Sequence, residues 1–158
     1  MRSHLRLMPS LAAVAVLVAG AGGASSAAAG LPDACKLLSP AEVGAAVGVA
    51  VAQGSALNSQ VASSCSWKQS GVDPFKAVTV IVSVKPAQSY ELGKRALKAT
   101  PVAGLGDEAY MTGGSASYTA LSVKKGQNAF DVTVRGPKDV AAIQAAEKAL
   151  AKSAAARL

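Results

Sequence analysis

The chain has 158 residues, 51% of them apolar but only 4% aromatic and 16% charged, and carries a formal net charge of +7. That length suits one domain rather than two, and an apolar share weighted to Ala and Val excludes a chain disordered by composition. One histidine and two cysteines exclude most chemistry built on imidazole or thiolate clusters.

Residues 1–10 carry Arg2, His4 and Arg6 with no acid, residues 11–19 form a short apolar run, and small residues follow to Ala27-Ala28-Ala29. A basic start, an apolar core and an A-x-A end predict a cleavable secretory signal peptide over 1–29. A membrane anchor would need about 20 predominantly apolar residues, roughly twice the run present. A lipid anchor would need a cysteine behind a Leu-small-small sequence, and Cys35 follows Pro32-Asp33-Ala34 instead. The expectation is a soluble exported protein, secreted or periplasmic, folded as a single α+β domain over 30–158. Cleavage removes His4, the one histidine, and leaves all nine acids and a positive balance.

Cys35 and Cys65 are the two thiols of the mature part. Export into an oxidising compartment makes a structural disulfide the first reading. Closing a loop of about 31 residues stabilises by roughly 3–4 kcal/mol in the chain-entropy account. A redox or metal pair is the alternative, but there is no C-x-x-C and no histidine to complete a zinc site.

Ser39-Pro40-Ala41-Glu42 predicts a helix start, with Ser39 as N-cap, Pro40 at N1 and Glu42 closing a capping box; Gly48 ends it. Residues 53–64 read as loop or a weak edge strand. Cys65-Ser66-Trp67 begins a strand, and Asp73-Pro74 marks a turn. From Ala77 to Lys85, Val78, Val80, Val82 and Val84 alternate with Thr79, Ile81 and Ser83, the pattern of a half-buried strand. A helix is predicted over 88–98 with Tyr90, Leu92 and Leu97 as its apolar positions, stopped by Thr100-Pro101. Strands at 107–112, 117–125 and 128–135, joined by short Gly turns, predict an antiparallel meander. An Ala-rich helix over 138–157 carries the stripe Val140, Ile143, Ala146 and Leu150. The expected fold is α+β: an antiparallel sheet of about four to five strands covered on one face by two to three helices, in two layers.

Without histidine, Ser-His-Asp and Cys-His sites are excluded, and no phosphate-binding Gly loop is present. No catalytic residue, metal or cofactor is expected. Four residues are candidate binding positions. Asp107 and Glu108, the one adjacent acid pair, read as a cation or partner contact or as solvated turn residues. Trp67, two residues beyond Cys65, reads as core packed on the disulfide or as a ligand-stacking ring. Tyr110, with Tyr118 beyond the Gly113-Gly114 turn, reads as half of a cross-strand pair or as a pocket rim. Among the other acids, Glu42 is committed to a cap, Asp131 alternates outward on its strand, and Glu91 and Glu147 read as solvated charges among helix lysines. The cations are spread rather than striped and have no aromatics among them, which argues against nucleic acid and allows at most weak association with anionic surfaces.

The run Leu31-Pro32-Asp33-Ala34-Cys35-Lys36-Leu37-Leu38, then Cys65-Ser66-Trp67, then Gly104-Leu105-Gly106-Asp107-Glu108-Ala109-Tyr110, then Val123-Lys124-Lys125-Gly126 resembles small secreted proteins and lipoproteins of unknown function from actinobacteria and other high-GC bacteria. The resemblance spans about residues 31–158. It implies an envelope location, a disulfide between the two motif cysteines and an α+β domain, and it carries no catalytic residues with it. The function expected is an exported, non-catalytic domain binding an envelope ligand or protein. The rivals are a histidine-free, carboxylate-dependent envelope hydrolase and a purely structural envelope component.

Overall fold

A computed structural model describes residues 30–115 and 118–158; the expected signal peptide, 1–29, lies outside the described residues. The chain opens with a 3-10 turn, Ala34–Lys36, capped by the Asp33 carboxylate on the Cys35 N–H. Helix α1 (Pro40–Val47) starts as expected: Ser39 and Glu42 form a reciprocal capping box, and Gly48 ends the helix at φ 70°. Strands β1 (Ser55–Ala56), β2 (Ser63–Lys68) and β3 (Thr79–Pro86) follow, then α2 (Ala87–Ala96), β4 (Thr100–Pro101), β5 (Glu108–Ser115), β6 (Tyr118–Lys125), β7 (Asn128–Arg135) and α3 (Val140–Ala155).

All seven strands join one antiparallel sheet in the order β1-β2-β3-β7-β6-β5-β4. The fold is α+β, as expected, but the strand count of four to five was too low. The two additions, β1 and β4, are two-residue edge strands, too short to show an alternating pattern. Pro101 in β4 also blunts that edge against further pairing.

Register fixes the two faces. Val82 lies opposite Cys65 and Val132, Val132 opposite Leu121, and Leu121 opposite Met111. With Val80, Val84, Phe130, Val134 and Val123 they form the apolar face, and the buried residues of α1 and α3 join the same core. The opposite face carries Ser64, Ser66, Lys68, Thr79, Ile81, Ser83, Thr133, Asp131, Ser122 and Lys124, as strand alternation demands.

Helix α2 corrects the two-layer expectation. Tyr90 packs on Tyr110 and Ala129 in a separate small cluster, and both lie on the polar face. Two ion pairs, Glu91–Lys124 (2.7 Å) and Lys94–Glu108, tie α2 down there. One helix therefore covers part of the second face, and the rest of that face is open. Leu92 and Leu97, expected as the apolar side of α2, are 67% and 46% exposed.

Candidate functional site

The four candidate binding residues do not converge. Trp67 lies on β2 and Tyr110 on β5, four strands apart, roughly 20 Å at ordinary strand spacing, and on opposite faces.

Trp67 is 1% exposed. It sits beside the disulfide under Gly54, where an added Cβ would meet Cys65 Sγ and Trp67 Nε1, each at 2.7 Å. The Cys35–Cys65 bond is formed, with the Cα atoms 5.0 Å apart. The indole is thus buried core against the disulfide, with no surface left for stacking a ligand.

Tyr110 is 2% exposed. Its ring meets Tyr90 at 4.8 Å between centroids, tilted by 48°, and its hydroxyl donates to the Tyr90 carbonyl at 3.4 Å. Tyr110 pairs across the strand with Ser122, while Tyr118 pairs with Ser115, so the two tyrosines are not a cross-strand pair. The Tyr90 hydroxyl is kept protonated, above the ordinary tyrosine range, chiefly by burial and also by the Glu108 charge.

Asp107 accepts the Gly126 N–H at 2.7 Å and so ties the turn before β5 to the β6–β7 turn. Glu108 is paired with Lys94. Each acid holds a different element, and neither faces the other.

The other seven acids are engaged as well. Asp33 and Asp139 cap helical segments, and Asp73 accepts the Phe75 N–H at 2.8 Å. Asp131 takes Lys85 and the Ser122 hydroxyl, both at 2.5 Å. Glu42 takes Ser39 and the Arg157 guanidinium, which hold its carboxyl down at about 2. Glu91 takes Lys124, whose ammonium holds that carboxyl below the ordinary range.

Glu147 corrects the reading of a solvated helix charge, because it is fully buried, at 0% exposure. One oxygen accepts the Thr119 hydroxyl at 2.8 Å and the Val134 N–H at 3.1 Å. The other has no hydrogen-bond partner among the described residues. Burial pushes its pKa up. Among the described residues, no three His, Cys, Asp or Glu side chains come together to hold a metal ion, and no helix is long and apolar enough to cross a membrane.

Three depressions among the described residues lie on the outer surface rather than between sheet and helices. A groove of about 500 Å3 runs along α1 past Ala41, Gly44, Ala45 and Val51. One of about 300 Å3 sits at the β1 edge between Leu57, Ser66 and Lys68, and one of about 350 Å3 separates α1 from α3. None of them contains a candidate binding residue or the buried Glu147.

What the residue list missed is the sheet end where β3 and β6 begin. Lys68 lies opposite Thr79 and Thr79 opposite Arg135, so two exposed cations flank one threonine on the open face. The β2–β3 loop leaves from this end with Val72 and Phe75, 42% and 99% exposed. The signal was in the sequence: Asp73-Pro74-Phe75-Lys76 places an aromatic on a Pro turn, where no core can reach it. No family model matches the chain, and no curated protein or solved structure matches it either.

Proposed function

We propose that the chain is an exported, non-catalytic domain that acts through its outer surface on a component of the cell envelope. The observation that carries this reading is the employment of all nine carboxylates. Each holds a cap, a turn, an ion pair or a strand end, and no two are set across a cleft as acid–base hydrolysis without histidine requires. The outward-facing depressions support a surface partner over an enclosed small ligand. The disulfide supports an oxidising, extracytoplasmic compartment.

The test has two arms. Intact mass of the protein recovered outside the cytoplasm is expected to lack about 29 N-terminal residues and to carry no acyl group; a full-length or acylated species overturns the soluble-export part. Mature protein offered glycan, ester and peptide libraries is expected to turn over none of them. Hydrolysis that is lost in Asp107→Asn with Glu108→Gln would favour the carboxylate hydrolase instead.

A further inference from the structure

The β2–β3 loop is a built feature rather than a loose excursion. Its base is closed by Gln69 N–H on the Val78 carbonyl (2.8 Å) and Val78 N–H on the Gln69 side chain (3.1 Å). Ser70 N–H on the Ala50 carbonyl ties it sideways at 3.0 Å. At its tip the Asp73 carbonyl accepts the Lys76 N–H at 2.9 Å, and the Asp73 side chain accepts the Phe75 N–H. Pro74 fixes the first corner of that turn and Phe75 occupies the second. The turn therefore presents a phenyl ring that nothing in the described chain covers, 99% exposed, on a backbone braced by five hydrogen bonds.

Four cations lie at the end of the sheet from which the loop leaves. Lys68 and Arg135 flank Thr79 on the sheet, roughly 10 Å apart at ordinary strand spacing. Lys76 follows Phe75, and Lys138 precedes α3 at the same end. None of the four is in an ion pair among the described residues. Three acids share this end, and all are occupied: Asp73 in its own turn, Asp139 at the α3 N-terminus and the buried Glu147 on Thr119 and Val134. Tyr118, 47% exposed, begins β6 there too.

We propose that this end of the sheet docks on an anionic lipid surface, with Phe75 entering the interfacial layer and Lys68, Lys76, Arg135 and Lys138 meeting the headgroups. The step rests on the reading of a surface-acting exported domain and names its partner. A protruding ring on a sheet end that carries four cations outside any described ion pair matches a bilayer interface, which accepts aromatic rings at headgroup depth and attracts basic residues. A folded protein partner would call for a broader apolar patch around the ring, and on this loop only Val72, 42% exposed, accompanies Phe75 as an exposed large apolar side chain. One ring and four cations give a reversible, salt-sensitive association rather than an anchor.

The test is co-sedimentation of purified mature protein with vesicles of phosphatidylglycerol plus phosphatidylcholine, and with vesicles of phosphatidylcholine alone. Binding to the anionic vesicles at low salt, weakened by added salt and absent from the neutral ones, is expected. Phe75→Ser should weaken it at least fivefold. Lys68→Ser with Arg135→Ser should weaken it more, since about 1 kcal/mol per cation near an anionic surface is about fivefold each. Phe75→Trp should keep binding and give blue-shifted emission on the anionic vesicles, over a constant background from buried Trp67.

Absence of binding to the anionic vesicles overturns the proposal. So does binding that Phe75→Ser leaves unchanged, which would reduce the site to diffuse charge. A Phe75-dependent crosslink to an envelope protein, without vesicle binding, assigns the tip to a protein and also overturns it. Any of these leaves the surface-acting reading standing, because that reading fails on turnover or on absence of export.

Discussion

A carboxyl group with no exposed surface either ionises at a cost or keeps its proton. Glu147 meets the sheet at the β6–β7 pair. The described β6–β7 register runs from Lys125↔Asn128 to Leu121↔Val132; two residues further along each strand lie Thr119 and Val134. There the Glu147 carboxylate takes both the Val134 N–H and the Thr119 hydroxyl, closing a ladder end that would otherwise leave a buried donor unpaired, a cost of about 1–3 kcal/mol. The folded pKa is raised, so the sign is that of a destabilising ionisation. Below about 4.5 both states hold the proton; as pH rises, the unfolded chain ionises first, and stability falls until the folded group has ionised too. Glu147→Gln keeps an acceptor for Val134 and cannot ionise. Melting temperature followed from pH 4 to 8 is expected to fall in the native protein relative to Glu147→Gln, at about 4 °C per kcal/mol for a chain of this size. A constant gap across that range would show that the carboxyl ionises at the same pH in the folded and the unfolded chain.

Among the elements, β3 and β7 are legible in advance because a strand buried on one face must alternate, and Val80, Val82, Val84, Phe130, Val132 and Val134 do so. Helix α1 is legible because its cap is chemical: Ser39, Pro40 and Glu42 each do one local thing. Helix α2 misleads because Tyr90 alone carries its buried side, and a single aromatic does not say which face of a sheet it will meet. Glu147 misleads because Lys148 follows it and Lys152 lies one turn on in sequence, while its partners come from β6 and β7. The candidate site suffers from the same problem, since Lys68 and Arg135 meet only through strand register.

The α1 cap extends into a tertiary clamp. Arg157 donates to Glu42 at 2.6 Å and to the Leu37 carbonyl at 2.6 Å, fastening the C-terminus to α1. Glu42, held at about 2 first by Arg157 and then by Ser39, contributes stability that is complete above its ordinary value of 4.5 and is lost as pH falls from there toward about 2. Arg157→Ala is therefore expected to lower the melting temperature at neutral pH, with the gap narrowing as pH drops through that window. The effect is modest, because both side chains reach solvent. A gap that stays constant as acid is added would mean that Arg157 acts through its Leu37 contact instead.

Across the whole molecule the sheet order puts the first strands at one edge and the last-formed meander at the other. β1 and β2 join the rest through a single neighbour, β3. The segment before α1 is held by Ala34, Leu37 and Leu38 buried in the core, by the Ala34 N–H on Ser63 at 3.1 Å, by the Arg157 contact, and by the Cys35–Cys65 bond into β2. The disulfide thus ties the chain's start to the weakly framed side of the sheet, and its loop contains α1 and β1 entire. Trp67, Gly54 and both sulfurs pack together, so no other residue can replace the link without repacking the core around it. Cys35→Ala with Cys65→Ala is expected to lower unfolding free energy by about 2–5 kcal/mol, read as a lower urea midpoint. The native protein under reductant should move toward the same midpoint. Two titratable thiols in the native, unreduced protein, or a double variant with an unchanged midpoint, would refute this account, and the stability of the β1–β2 side would then have to come from Trp67 and the valines beneath it.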